Sequence, residues 1–350
     1  MNLNIKLDNL TDIINLKFGV YSPLNEFNDK DDFISIVNNY KTKKLKFFPF
    51  PVYFDVDQKV YKKIKTKKKI NLIYKSVKVC ELYIKSFYKI DKKKFAKKIF
   101  KTNDKNHPGL KNFLNSGKYF LNGKINKFNN KILKTINYTK PKTIKNKIKK
   151  SNFKSIAGFH TRNVPHTGHE WIHSYGLKQC ESLLIQPMIG QFKKFEYRDK
   201  HIINTNKILV NKIYKKSNIL FALYNSYPKY GGPREAMLHA LVRKNYGCTH
   251  FLVGRDHAGI KNFYKKYESQ KIAKKFERKL GIKILTFDEP FFCKTCKKVI
   301  NKKKHNCKIS LVKRISGTFI RSQILKNKKI STDLMRSEIF RLINKNSIIK

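Results

Sequence analysis

The chain has 350 residues, room for two or three domains with a sizeable core, and carries a formal net charge of +56. Its 40% apolar content suits a globular protein, and no apolar run approaches the roughly eighteen residues of a membrane span. Six cysteines are too few for a disulfide framework, and the polar-interrupted N-terminus predicts no secretory signal, so the cytoplasm is the expected compartment.

The charge is a weak guide to partners. Only ten of the 79 basic residues are arginine, and the first of these is Arg162. Lysine is joined by abundant Ile, Asn, Phe and Tyr, the residues of A- and T-rich codons, and it is spread along the chain without one patch. We read compositional bias rather than a nucleic-acid surface. Arginine is then the informative cation, and Arg162, Arg234, Arg255 and Arg321 all fall inside dense motifs.

From the N-terminus, β-type runs at 47–56, 70–74 and 76–82 predict a mostly β domain over 1–145, with Pro49 and Pro51 making the first run an edge or irregular strand. Two turn clusters stand out, YSPLNEF at 21–27 and NHPG at 106–109. The stretch 129–155 is rich in Lys and Asn and reads as a linker, with Pro141 breaking any helix. Beyond it, strands at 156–159, 182–186, 219–223, 250–253 and 282–287 alternate with helices opening at His169 and running across 234–245. That alternation predicts a parallel-sheet α/β domain over 150–288, with ligands at the carboxyl ends of its strands. A small C-terminal subdomain fills 289–350.

The densest chemistry is FHTRNVPHTGHEW at 159–171, a strand-to-helix crossing whose free backbone N–H groups suit an anion. His166 and His169 stand three apart and can share one helix face. Arg162 can grip a tetrahedral oxyanion by two oxygens. GGPRE at 231–235 opens the helix carrying His239 and Arg243, with Pro233 suited to a first turn. HFLVGRDHAG at 250–259 ends a strand on Gly254, where a ligand can approach the backbone, and then Arg255, Asp256 and His257. In ISGTFIR at 315–321, Ser316 is a helix cap, and its hydroxyl with Thr318 and Arg321 suits phosphate. Cys293, Cys296, His305 and Cys307 offer four tetrahedral zinc ligands within fifteen residues. Cys80, Cys180 and Cys248 read as isolated buried thiols.

These blocks together resemble the ATP sulfurylase (sulfate adenylyltransferase) family, in its single-function form, and the resemblance covers nearly the whole chain. FHTRNVPHTGH, YGGPREAMLHALVRKNYGCTHFLVGRDHAG and ISGTFIR match its catalytic blocks; YSPLNEF matches its Ser-Pro-Leu-x-Gly-Phe segment with Glu26 in place of glycine. The resemblance implies a PUA-like N-terminal domain, a Rossmann-like nucleotidyltransferase domain and a C-terminal zinc-ribbon and helical subdomain. It implies sulfate activation, ATP and sulfate giving adenosine 5′-phosphosulfate and pyrophosphate, or the reverse reaction. Arg162 and Ala258 would bind sulfate, with Thr161 and Asn163 orienting the reacting groups. His166 and His169 would stabilise the departing pyrophosphate. Gly254, Arg255, Asp256 and His257 would line the ATP site, Arg255 stabilising the transition state. His160 stands where many members have glutamine and keeps a donor toward the nucleotide, and Phe291 aligns loosely beside the adenine. Mg²⁺ would accompany ATP and a homo-oligomer is expected; zinc would be structural, although similar members place the last cysteine before the histidine and here His305 precedes Cys307, which leaves the fourth ligand open.

Two other readings remain open at this level. A class I aminoacyl-tRNA synthetase-like enzyme, or another His-x-Gly-His nucleotidyltransferase, would use His-Thr-Gly-His, but no Lys-Met-Ser-Lys-Ser-like segment occurs. A basic zinc-ribbon protein binding nucleic acid would explain charge and cysteines but not GRDHAG. A fused kinase is not expected, since no Gly-x-x-x-x-Gly-Lys-Ser/Thr loop is present.

Overall fold

The computed structural model describes residues 1–190, 194–215, 218–301, 305, 307 and 311–349. The N-terminal part is built on a five-stranded sheet of β1 (Asn2–Asn4), β2 (Phe54–Val56), β3 (Lys69–Tyr74), β4 (Val77–Tyr88) and β5 (Tyr119–Asn126), in the order β1-β3-β4-β5-β2. Only the β1–β3 pair is parallel. Prolines 49 and 51 have the expected effect. Of the run 47–56, only the last three residues join the ladder.

The mostly β expectation is corrected by five helices: α1 (Leu7–Lys17), α2 (Lys30–Asn39), α3 (Gln58–Ile64), α4 (Lys92–Phe100) and α5 (Pro108–Leu114). Their signals are caps. Asp29, Asp57, Asp91 and His107 each accept a hydrogen bond from the backbone N–H three residues on. In α4, Lys93, Lys94, Lys97 and Lys98 face outward while Phe95, Ala96, Ile99 and Phe100 are buried, so the helical period was hidden by the lysine-rich composition.

The 129–155 stretch is likewise more than a linker. Pro141 is the first residue of α6 (Pro141–Lys150) rather than a breaker, because a first-turn residue has no intrahelical N–H bond to lose. Ile144 is fully buried, and Thr139 accepts from the Leu223 N–H at 3.0 Å.

The second sheet comprises β6 (Ile156–Thr161), β7 (Ser182–Ile189), β8 (Ile219–Phe221), β10 (His250–Val253) and β11 (Lys283–Thr286), ordered β11-β10-β6-β7-β8 and parallel throughout, with β9 (Tyr224–Asn225) extending along β7. Every residue of β7 is buried, as a strand covered on both faces requires. The helices here are α7 (Thr167–Gln179), α8 (Asp199–Ile208), which the sequence reading missed, α9 (Pro233–Tyr246), α10 (Glu268–Lys275) and α11 (Glu277–Leu280). The chain moves outward from β6 to one edge, then returns to β10 and β11. The reversal lies between β6 and β10, the crevice position for ligands in doubly wound sheets.

Helix α9 is the seam between the two parts. It opens on Gly232, whose φ of +51° and close approach to the Tyr264 ring, 2.5 Å from where a Cβ would stand, admit only glycine. Arg234 points away from the sheet into the N-terminal part. Its guanidinium donates to the carbonyls of Ile36, Val37, Pro49 and Lys98 and lies 4.0 Å from the Tyr40 ring centroid.

At the C-terminal end, β12 (Phe291–Cys293), β13 (Lys298–Ile300) and β14 (Val312–Arg314) form an antiparallel sheet ordered β13-β12-β14, followed by α12 (Gly317–Leu325) and α13 (Ser337–Phe340). A second core joins Ile320, Ile324, Leu334, Ile339 and Ile348 to Val164, Ile189 and Tyr197, fastening this end beside the β6–α7 crossing. Among the described residues no helix is long and apolar enough to cross a membrane.

Candidate active site

One cavity opens at the carboxyl ends of β6 and β10. His160, Thr161, Arg162, Asn163 and His169 line one side, and Asp256, His257, Ala258 and Gly259 the other. The remaining wall is Pro228, Tyr230, Glu235 and His239 from the approach to α9 and its first turns. Two motifs nearly a hundred residues apart meet because β6 and β10 are hydrogen-bonded neighbours, His250 opposite Ala157 and Phe251 opposite Gly158.

The β6–α7 crossing is organised by His166. It adopts extended backbone as the N-cap of α7, and its Nδ1 accepts from the His169 N–H at 3.3 Å. The two imidazoles stack with centroids 3.7 Å apart, but as cap and first turn rather than on one helix face, because the helix opens at Thr167 and His166 precedes it. Burial lowers both from the ordinary histidine value, His166 to about 4 and His169 well below 6.5, where the neighbouring His166 and His173 add to the effect. Both are therefore neutral donors in the free protein rather than fixed cations.

The late ISGTFIR block packs onto the same loop. Ser316 caps α12 by accepting from the Phe319 N–H. Arg321 donates through Nη1 to Asn163 Oδ1 and lies 3.4 Å from Thr318 Oγ1. Thr167 Oγ1 donates to the Asp333 carbonyl at 2.7 Å, so the C-terminal segment also holds the start of α7.

Opposite, Ala258 sits at φ +57°, a left-handed conformation that a non-glycine residue adopts at a cost and that turns the GRDHAG backbone along the cavity. His257 is lowered to about 3 by burial and then by the Arg243 and Arg162 charges. Its Nε2 lies 3.1 Å from His239 Nδ1, and His239 stacks on His160 at 4.0 Å. Glu235 is held by the backbone N–H groups of Lys229 and Gly231 at 2.9 and 3.0 Å, with burial raising its carboxyl above the usual range.

The structure thus gathers His160, Thr161, Arg162, Asn163, His169, Asp256, His257 and Ala258 around one space, with His166 stacked against its wall. Gly254 and Arg255 are in the adjoining turn and do not line it. Arg255 pairs through Nη1 with Glu289 at 2.9 Å, and Glu289 also accepts from Arg314. Phe291 is in β12 with its ring against His305, outside the cavity lining. Arg234 belongs to the seam and not to the site. Pro228, Tyr230, Glu235 and His239 escaped the sequence reading as site residues; the four-residue spacing of Glu235 and His239 on one helix face was their available signal.

In the C-terminal sheet, the ligand atoms of Cys293, Cys296, His305 and Cys307 all lie within 4.8 Å of one another. His305 Nε2 is 3.1 Å from Cys293 Sγ, and the sulfurs of Cys296 and Cys307 are 3.6 Å apart. The unusual order of the last two ligands does not prevent convergence. Cys80, Cys180 and Cys248 are separate buried thiols, as their isolation in the sequence suggested.

Comparison with known proteins gives the family. The ATP-sulfurylase family model matches residues 136–346, and a PUA-like domain model matches 1–130. A sulfate adenylyltransferase of Ignicoccus hospitalis is 34% identical over 344 residues, covering 97% of this chain and 90% of the relative. That of Pyrococcus abyssi is 35% identical over 95% of this chain and 87% of its own, and that of Carboxydothermus hydrogenoformans 30% identical over 99% and 92%. In fold, the chain superposes over 97% of its length on the hexameric APS kinase from Thiobacillus denitrificans, with a TM-score of 0.73 at 12% identity, spanning 62% of that chain. By a family match over more than half its length, and by relatives aligned nearly end to end, this chain belongs to the ATP-sulfurylase family.

Proposed function

We propose that this protein works as a sulfate adenylyltransferase through the cavity between β6 and β10, joining ATP and sulfate to give adenosine 5′-phosphosulfate and pyrophosphate. Family membership supports the activity, and one observation carries the site: Thr161–Asn163 and Asp256–Ala258 share one cavity at the reversal point of the parallel sheet.

The chemistry asks for positioning more than for acid–base work. A sulfate oxygen attacks the α-phosphorus, and the bond from that phosphorus to the bridging oxygen of pyrophosphate breaks with its electron pair on the leaving group. Both reactants are anions, so the site must neutralise charge and hold the line of attack. In our reading Arg162 grips sulfate with the backbone at Ala258. Thr161 and Asn163 orient the reacting groups, and His160, Gly254, Asp256 and His257 hold the nucleotide. Burial keeps His166 and His169 neutral, so they act as N–H donors to the charge growing on pyrophosphate; a bound anion would also favour their protonation. Arg255 is assigned to the transition state from the turn beside the cavity, and Phe291 to the adenine side. Mg²⁺ enters with ATP.

The four Cys and His ligands fit a structural zinc ion. A tetrahedron with metal–sulfur bonds of about 2.3 Å has sulfur–sulfur edges of about 3.8 Å, close to the 3.6 Å between Cys296 and Cys307. The ion would fasten the β12–β14 sheet as a zinc ribbon and take no part in the reaction. We further propose units at 1–145, 150–288 and 289–350, and a homo-oligomer, which light scattering would count.

The deciding experiment is pyrophosphate release from ATP and Mg²⁺ with and without sulfate, with molybdate as an alternative oxyanion. Oxyanion-dependent release is expected. A folded, ATP-binding protein that releases none would overturn the reading.

A further inference from the structure

Among the described residues Arg243 is the largest fully buried side chain, yet no carboxylate among them pairs with it. It leaves α9 beneath the floor of the cavity. Its Nη2 reaches His160 Nδ1 at 2.7 Å and the Gln186 carbonyl at 3.1 Å, and its Nη1 reaches the His239 carbonyl at 3.4 Å. The place is built for it. A Cβ on Gly158, in β6, would stand 2.6 Å from the Arg243 Cγ, so only glycine lets the stem lie against the strand.

We infer that Arg243 is a positioning residue that fixes His160 as a neutral imidazole with its proton on Nε2, a permanent donor in the wall of the nucleotide site. The inference rests on the proposed function for what the donor serves, but not for the tautomer itself. A guanidinium has no acceptor, so the nitrogen it meets must offer a lone pair. Nδ1 is therefore unprotonated, and the single proton of the neutral ring is left on Nε2. The bond to a charged donor also polarises the ring and strengthens Nε2–H. A second proton on His160 would face Arg243 and His239 from α9, Arg162 from its own loop and His257 from the turn after β10. Burial comes first and these four next in holding its pKa well below 6.5.

The pairing also explains a departure from the family pattern. A glutamine before Thr-Arg-Asn offers its NH₂ without condition, whereas a histidine donates from a given nitrogen only if its tautomer is set. The same bond weighs against another use of the cluster. Ligand atoms of His160, His239 and His257 lie within 4.8 Å of one another, but a metal would need the lone pair of His160 that Arg243 already occupies, or an Nε2 without its proton.

The test is nitrogen-15 imidazole NMR on the full chain, with His160→Gln assigning the signal. A neutral ring protonated on Nε2 from pH 6 to 8 is expected; a proton on Nδ1, an imidazolium, or a metal on Nε2 would overturn the proposal. In turnover, Arg243→Met should cost at least tenfold in the native chain but less than threefold in the His160→Gln background. Equal costs in both would mean that Arg243 is only structural. If Arg243→Met does not fold, the native spectrum still decides. Absent pyrophosphate release with an Nε2–H spectrum would sink the functional reading and leave the tautomer assignment standing.

Discussion

Arg321 donates to the side-chain oxygen of Asn163 across 158 positions of sequence. The bond settles which way the Asn163 amide faces, because its oxygen is taken by a guanidinium; under the proposed function its NH₂ is the group offered to a ligand. Without Arg321 the amide can rotate. We expect Arg321→Met to lower kcat/KM by about ten- to a hundredfold with little change in thermal stability, since misorientation of one reacting-group contact costs on that scale. Steady-state kinetics beside a melting curve would check it, and unchanged kcat/KM would contradict the coupling.

Arg162→Ala and His169→Ala each remove a donor assigned to a developing or bound anion. Each should lower turnover by about a hundredfold or more. Near-native turnover in variants with native circular dichroism would remove those residues from the mechanism.

The buried histidines should make the fold acid-labile. Burial holds His166 near 4 and His173 and His257 near 3, against an ordinary 6.5. Between 6.5 and those values the unfolded chain binds more protons than the folded one, so stability is full above about 6.5 and falls as pH falls. A fully shifted group contributes up to about 1.4 kcal/mol per pH unit in that window. The melting temperature should drop by at least about 5 °C from pH 7 to pH 5. Scanning calorimetry that finds no drop would show that these rings are not buried neutral.

Arg234 is 5% exposed, and of the four carbonyls of the N-terminal part that accept from it, only that of Ile36 also accepts a backbone N–H, from Tyr40. Arg234→Met would leave several of them buried and unpaired, at a cost of about 3 kcal/mol or more. Urea unfolding should show an earlier midpoint, or a first transition from loosening of the N-terminal part. An unchanged curve would mean that the seam is held by apolar packing alone.

Chelation should lower the melting temperature if zinc holds the β12–β14 sheet, and Cys296→Ser should do the same without chelator. Elemental analysis of the purified protein should give one zinc per chain. A metal-free protein whose melting curve ignores chelator would leave Cys293, Cys296, His305 and Cys307 as unligated groups.

Much of the site was legible because its residues are concentrated in short blocks at element ends. The spacing of His166 and His169 announced that the two rings could meet, which they do as cap and first turn, and Ser316 announced the start of α12. Apolar strands alternating with helices announced the parallel sheet. The N-terminal helices were less legible, since 69 lysines flatten the contrast on which helical periodicity depends, and Pro141 can either end a helix or begin one.

By itself, the sequence determined the chemistry available to this protein: which donors exist, which turns require glycine, and which four ligands stand close enough along the chain to meet. Tertiary structure decided where each is spent. Arg162, Arg234, Arg243 and Arg321 look alike as letters, yet one lines the cavity, one clamps the N-terminal part, one sits buried behind His160 and one orients Asn163. The reason is physical. A guanidinium takes its role from the acceptors around it, and those acceptors come from strands and loops that only the folded sheet brings within three ångströms or so.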